Sequence, residues 1–384
     1  MARKIESERI PIYIWAEGVD EETLKQTKNI ANLPIAYHHV ALMPDAHAGF
    51  GMPIGGVLAI EDSVIPNAVG VDIGCGMHAL RTSLKDLPRS TLETIAAKIR
   101  SRIPLGFQHH KHPCSWEGFK EAPDLPIVQQ ELDSARHQLG TLGGGNHFIE
   151  LQKDPTGTLW IMVHSGSRNF GLKIAEEYHT KAKKYCSEHK LNLPDPNLAY
   201  LPVDSRLGRE YLKGMNFALR FARENRRKIM EDILAILDET AGSFEVTDRI
   251  DIHHNYAAPE KHYGKEVIVH RKGATAAHKS LRGIIPGSQG TPSYIVEGLD
   301  NPLSFKSCSH GAGRRLGRNE ARKKLDLKEE VRRLESLGVI HAVRKPKDLD
   351  EASGAYKDIH QVMDAQKDLV AVLLELHPLA VVKG

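Results

Sequence analysis

The 384-residue sequence is poor in everything that marks a secreted, membrane-bound or fibrous protein. Its four cysteines (Cys75, Cys114, Cys186 and Cys308) are scattered without a Cys-x-x-Cys pair. That excludes a disulfide framework and fits a reducing compartment. No apolar run approaches the ~20 residues of a membrane span, and the N-terminal Met-Ala-Arg-Lys-Ile-Glu-Ser-Glu-Arg has no apolar signal core. A cytoplasmic protein with no membrane partner is expected. An excess of one charge is also missing: 52 Lys and Arg against 49 Asp and Glu leave a net charge of +3. Nucleic-acid contact therefore has to come from local patches rather than a global field. There is no Gly-x4-Gly-Lys-Ser/Thr phosphate loop, no internal repeat and no low-complexity linker. What remains describes a globular chain, 41% hydrophobic and 26% charged. The expectation is α+β: a single large domain over residues 1–384, with mixed β-sheets and surrounding helices.

Short apolar runs broken by Pro and Gly over residues 35–65 suggest strands joined by tight loops. Leu92, Ile95, Ala96, Ile99 and Ile103 predict a helix from Thr91 to Ile103, with Ser90 and Glu93 as a capping box. Residues 108–123, with three histidines and Cys114, read as a surface loop. A long helix is expected over residues 207–239, its core face formed by Met215, Leu219, Ala222, Ile229, Ile233 and Leu237. Its Arg223, Arg226, Arg227 and Lys228 read as a solvated face. Strands are expected at 160–164, 249–255 and 266–270. Ile359, Val362, Met363, Leu369, Val370 and Leu373 predict a C-terminal helix over 357–376, followed by an apolar strand, Leu379–Val382, that carries Lys383 inward.

What is abundant is histidine, 21 residues, and glycine, 32. In Gly70-Val-Asp-Ile-Gly-Cys-Gly-Met77, Asp72 and Cys75 share a glycine-rich, apolar turn. A buried carboxylate beside a buried thiolate calls for a compensating cation, and both groups ligate divalent metals. Four further segments present an imidazole from a strand end or glycine turn: His147 after Gly143-Gly-Gly-Asn, His164, His253-His254, and His310 before Gly-Ala-Gly. If Cys75 bridges two ions, Asp72 and one histidine complete one and two histidines the other. Such mixed ligation suits Mn²⁺, Zn²⁺, Fe²⁺ or Co²⁺. Backbone N–H groups of Pro286–Gln289 and His310–Gly313 can cradle phosphate oxygens, with Arg168 and Arg314 as phosphate clamps. The pattern points to metal-assisted phosphoryl or nucleotidyl chemistry.

Met43-Pro-Asp-Ala-His, Gly70-Val-Asp-Ile-Gly-Cys-Gly-Met, Leu142-Gly-Gly-Gly-Asn-His-Phe-Ile-Glu, Val163-His-Ser-Gly-Ser-Arg, His253-His-Asn-Tyr, Arg271-Lys-Gly-Ala, Ile285-Pro-Gly-Ser, Ser309-His-Gly-Ala-Gly-Arg and Val382-Lys-Gly together resemble the RtcB family of RNA-splicing ligases, in order and over nearly the whole chain. The resemblance implies a GTP- and Mn²⁺-dependent enzyme that joins RNA 3′-phosphate or 2′,3′-cyclic phosphate ends to 5′-hydroxyl ends in tRNA splicing or RNA repair. It proceeds through a guanylylated histidine and an RNA-3′-pp-5′-G intermediate. Carried over by motif, Asp72, Cys75 and His147 would hold one Mn²⁺ and Cys75, His164 and His254 the other. His310 would be the nucleophile. Asn146, His147, Phe148, Ile149, Glu150, His254, Asn255, Pro286, Gly287, Ser288, Gln289, Ser293, His310, Gly311, Ala312, Gly313 and Lys383 would surround GTP. Asp45 is the candidate partner for the second nitrogen of His310. RNA ends are the expected partners, with an activator protein as an open addition.

The sequence departs from the family pattern at Gln289, where Met is expected, and at Ala46, Ala48 and Phe50 in the Pro-Asp-x-His-x-Gly loop. Two other readings compete. A metal-dependent phosphodiesterase or cyclic-phosphate hydrolase would use the same ions on water without a nucleophilic histidine. An RNA-binding protein with a relict site would use only the basic stretch Arg314, Arg315, Arg318, Arg322, Lys323 and Lys324.

Overall fold

The computed structural model describes residues 2–384. Among them the strands gather mainly into two sheets, with helices around them, so the architecture is α+β as expected. One sheet runs, in spatial order, Arg3–Ile5, Ile12–Ile14, Ala36–Phe50, Met52–Ile60, Lys265–Lys272 and Asn255–His262. The other runs Val246–His253, Gly76–Lys85, Thr158–Ser165, Phe148–Lys153, Val370–Lys383, Ser293–Gly298 and Arg282–Ile285, antiparallel throughout. This second sheet curls until its two edges meet, where the Arg282 guanidinium donates to Asp248 Oδ1 at 2.7 Å. Met77, Trp160, Met162, Ile250, Ile284, Ile295 and Leu376 fill the space inside the curl.

Strand Thr158–Ser165 is buried along its whole length because both of its faces are covered. Trp160 and Met162 point into the curl, while Leu159, Ile161 and Val163 pack on the outer side with Ile229, Ile233, Ile236 and Leu237. Those four belong to the long helix Arg206–Ala241, whose first turn is capped by Ser205 Oγ accepting from Gly208 N at 3.0 Å. No helix of the described residues is long and apolar enough to cross a membrane.

At one of its crossings between the two sheets the chain spends a single residue. Strand Val246–His253 belongs to the curled sheet and Asn255–His262 to the other, leaving His254 alone at the seam. His254 N donates to Cys75 O at 2.9 Å, and His254 O accepts from Ala274 N at 3.1 Å.

Three sequence expectations need correction. The helix expected over 357–376 exists only as Ile359–Ala365, and the strand Val370–Lys383 begins five residues later. Apolar residues at helical spacing continue past Ala365, but Gln366 is buried and its Oε1 accepts from Ser309 N at 3.0 Å, which stops the helix. Beyond it, strand pairing on Ser293–Gly298 overrides local propensity. The capping box at Ser90 and Glu93 does not form: the helix is Arg89–Arg102, Pro88 stands at its cap, and Glu93 pairs instead with Arg89 at 3.0 Å. Arg226 is not on a solvated face. It is fully buried, donating to Gly74 O (2.9 Å), Ser165 O (3.1 Å) and Asp251 Oδ1 (2.6 Å).

Removing the Arg226 guanidinium takes from the largely buried Asp251 carboxylate its short ion pair, leaving only Arg223 at 3.8 Å, and removes a donor from the carbonyls of Gly74 and Ser165. Arg226→Ala is expected to cost about 3–5 kcal/mol of folding stability, measured by urea unfolding.

Candidate functional site

The Asp72–Cys75 turn is shaped by two glycines with positive φ, Gly70 (95°) and Gly74 (74°). A Cβ on Gly74 would lie 2.9 Å from Ala222 Cβ, so the turn packs directly on the long helix. From this turn the Cys75 thiol faces His147 Nε2 at 3.4 Å and His164 Nε2 at 3.2 Å. Donor atoms of Cys75, His147 and His164 all lie within 4.8 Å of one another. Asp72 Oδ2 flanks the His147 side at 3.0 Å, and His254 Nε2 flanks the His164 side at 3.4 Å.

Ring orientation decides what these groups can hold. His147 Nδ1 lies 2.9 Å from Leu142 O and His164 Nδ1 lies 3.1 Å from Asn146 O. A carbonyl only accepts, so both rings carry their proton on Nδ1 and turn the Nε2 lone pair inward. Lone pairs of His147 and His164 therefore converge on a sulfur and a carboxylate oxygen, an arrangement that is repulsive unless a cation sits among them. Burial holds the pKa of His164 and His254 well below the usual imidazole range, keeping both rings neutral. Burial, reinforced by Asp72, pushes the Cys75 thiol well up. A divalent cation reverses that penalty and draws a thiolate. The Asp72 Oδ1 is buried without a hydrogen-bond partner among the described residues. These residues fit a metal site.

The second half of the site lies across the seam. The register of strand Ala36–Phe50 jumps so that residues 43–46 oppose Gly55 alone. This bulge, built around Pro44, turns Asp45 inward. Asp45 Oδ2 lies 2.6 Å from His310 Nδ1 and accepts from His310 N at 3.0 Å. Its pKa is depressed although burial opposes this, since His310 and Lys357 favour the anion. Lys357 braces the bulge, donating to Pro44 O (3.1 Å) and Ala46 O (2.6 Å). A Cβ on Gly313 would come within 2.1 Å of Asp45 O, so only glycine fits there. The His310 ring faces His254 with centroids 4.8 Å apart.

A cleft of about 630 Å³ joins both halves. Its wall includes Asp72, Cys75, Asn146, Phe148, Glu150, His164, His254, Asn255, Pro286 to Gln289, His310 to Gly313, Arg314 and Lys383. Two sequence candidates lie behind the wall. Ile149 points into the apolar core. Ser293 Oγ accepts from Gly287 N at 3.2 Å and from Gln152 Nε2 at 2.9 Å, bracing the Pro286 loop. His147 and Arg168 line an adjoining cavity of about 950 Å³ that shares Asp72, Asn146 and Lys383 with the cleft. Arg168 reaches Thr141 Oγ1 (3.3 Å) and the His147 ring (3.4 Å).

Arg314 has a carboxylate partner: its Nη1 donates to Glu351 Oε1 at 3.1 Å, as does Arg318 Nε. Glu351, which the sequence reading did not single out, also accepts from Tyr356 and lies 3.7 Å from Lys383 Nζ. Gln289 donates to Glu351 O at 2.9 Å, so its departure from Met ties the Pro286 loop to residues 346–351. Asn225 was also missed. Its side chain accepts from Gly140 N (2.7 Å) and donates to Ser165 Oγ (3.0 Å), joining two ligand-bearing loops.

Glu150 is enclosed with Gln152 as its hydrogen-bond donor, and burial raises its pKa to about 8. The folded state therefore binds a proton that the unfolded chain releases near its ordinary value. Stability from this group is complete at acidic pH and is lost as pH rises through about 8. Urea unfolding from pH 5 to 9 is expected to show a smaller loss of stability with rising pH in Glu150→Gln than in the parent.

The family model described as "tRNA-splicing ligase RtcB" matches residues 26–122 and 113–384. RNA-splicing ligase RtcB of Escherichia coli K12 is 37% identical, over 98% of each chain. The tRNA-splicing ligases RtcB of Nanoarchaeum equitans and Thermococcus kodakarensis are 32% and 30% identical, each over 98% of this chain and 95% of their own. With motifs, fold and likeness running the length of the sequence, the chain belongs to the RtcB family.

Proposed function

We propose that this protein is a cytoplasmic GTP- and Mn²⁺-dependent RNA ligase, folded as a single domain. It would join an RNA 3′-phosphate or 2′,3′-cyclic phosphate to a 5′-hydroxyl, in tRNA splicing or RNA repair. One observation carries the reading: inward lone pairs around Cys75 stand beside an imidazole, His310, whose Nδ1 is engaged by a buried carboxylate and whose Nε2 is left for chemistry. A hydrolase acting through metal-bound water has no need of that second feature. The names of the relatives, RNA-splicing and tRNA-splicing ligases, support the same choice.

In this reading Asp72, Cys75 and His147 would hold one Mn²⁺, and Cys75, His164 and His254 would hold the other. When bound, the ions neutralise the triphosphate and polarise its α-phosphate. Asp45 keeps the proton on His310 Nδ1, and the Nε2 lone pair attacks the α-phosphorus of GTP. An N–P bond forms as the P–O bond to pyrophosphate breaks, and pyrophosphate departs with the electron pair. Asp45 stabilises the positive ring that results. The Pro286–Gln289 and His310–Gly313 loops offer backbone N–H groups to phosphate oxygens, while Asn146, Phe148, Glu150, Asn255 and Lys383 enclose the nucleoside. Ile149 and Ser293 contribute from behind the wall. Arg168 and Arg314 face the RNA phosphates. GMP then passes to the RNA 3′-phosphate, after water opens any cyclic form, and the 5′-hydroxyl displaces GMP.

Incubation with α-labelled GTP and Mn²⁺, followed by a denaturing gel, tests the reading. The parent protein is expected to retain label and His310→Ala to lose it at unchanged metal content. Asp45→Asn is expected to slow attachment far more than it weakens GTP binding. Label that survives in His310→Ala rules out this nucleophile.

Metal analysis tests the shared thiolate separately. Cys75→Ser is expected to lose both ions, His164→Ala mainly one and Asp72→Ala mainly the other, because the Cys75 thiol faces His147 on one side at 3.4 Å and His164 on the other at 3.2 Å. Full occupancy of one ion in Cys75→Ser removes the bridge.

A further inference from the structure

Phe107 is the most exposed large apolar side chain among the described residues, at 102% against 58% for the next, Phe50. It is not on a loose loop. Gly106, with φ of 61°, starts a tight turn closed by Gln108 N donating to Leu105 O at 3.1 Å. The turn is fastened to the glycine loop that carries His147: Gly106 N donates to Gly143 O at 3.0 Å, and Leu142 N to Pro104 O at 3.0 Å. A short parallel bridge pairs Leu105 with Gly143. A bare aromatic ring is thus held outward by backbone hydrogen bonds, where burial in the core would ordinarily be its most stable place.

The ring stands at the lip of the 950 Å³ cavity, which Arg168, Arg318, Arg322 and Lys347 also line, Arg318 paired with Glu351 at 3.1 Å and Arg322 with Asp350 at 2.6 Å. Cations along a groove with an aromatic face at its edge form the combination that binds single-stranded nucleic acid. The cations follow the phosphates, and a base stacks on the ring whatever its identity. The cavity meets the catalytic cleft at Asp72, Asn146 and Lys383, so a strand lying in it ends beside the donor set.

We propose that Phe107 is a stacking platform for a base near the reacting end of an RNA strand, positioning that strand in the cavity beside the cleft. This rests on the RNA-ligase reading above. The platform tolerates any base, since every base has a stacking face, and its contribution lies in strand affinity and placement rather than in bond making.

The test uses the full chain and two RNA oligonucleotides containing 2-aminopurine, one near a 3′-phosphate and one near a 5′-hydroxyl. Stacking quenches this base, so the quenched oligonucleotide identifies the strand. Phe107→Ala is expected to abolish the quench and raise the dissociation constant of that strand about 5- to 150-fold. Phe107→Trp is expected to restore both, and Phe107→Leu, which keeps the apolar surface without the ring, neither. Because the ring is fully exposed, these changes leave the core intact. Quench and affinity that are equal in the parent and Phe107→Ala for both oligonucleotides overturn the platform, as does full recovery by Phe107→Leu. The parent's labelling with GMP separates the two levels. A parent that labels and binds RNA while Phe107→Ala matches it loses only the platform. A parent that neither labels nor binds either strand loses the ligase reading and the platform with it.

Discussion

A single buried guanidinium holds the site's supports in register. Arg226 ties the carbonyl of Gly74, the carbonyl of Ser165 and the carboxylate of Asp251, which lie on the Cys75 turn, on the strand carrying His164 and on the strand leading to His254. Three segments far apart in sequence are thereby fixed to one helix by charge-assisted hydrogen bonds, stronger and more directional than apolar contact. Asn225, its neighbour on the helix, does the same for the His147 loop through Gly140. Donors held this firmly need little rearrangement to receive a cation, and preorganisation of that kind is what a metal or phosphate site requires.

The legibility of this chain in its sequence varied with the kind of interaction. The site motifs were legible because each couples a chemically distinctive side chain to a glycine turn. Helix Arg206–Ala241 was legible from its apolar stripe. Arg226 occupies that same stripe, filling the gap between Ala222 and Ile229, so a position for it was visible. Its charge argued for solvent, because the Asp251 and carbonyl partners that make burial favourable come from distant segments. The C-terminal region failed for the converse reason. Residues 359–373 have helical spacing, yet Gln366 anchors to Ser309 and the following residues pair with Ser293–Gly298, contacts that no local pattern reveals. Glu351 was invisible too, since nothing near it in sequence announces that Arg314, Arg318, Tyr356 and Lys383 will gather around it.

The carboxylate partners in the site have contrasting settings. Asp45 is kept anionic by His310 and Lys357 even though it is buried. Glu150, equally enclosed but with an amide for its near neighbour, is pushed towards its neutral form. One site thus combines a carboxylate behind the cleft wall, set to support a positive ring, with another in the wall that burial pushes towards neutrality. Which of the two a group becomes is decided by its partners, not by depth alone.

His254 is the one residue between a strand of the curled sheet and a strand of the other. Cys75, His147 and His164 belong to the first body. Asp45 lies in the second, and His310 follows the short strand that pairs with Ala274–Ala276 beside it. The spacing between nucleophile and donor set is therefore not the property of any loop. It is a tolerance set by how two slabs of β-structure sit against each other. Slack introduced in their packing would widen the gap as surely as a change to the reacting groups, and an ion gripped at the seam would act as a rivet between them.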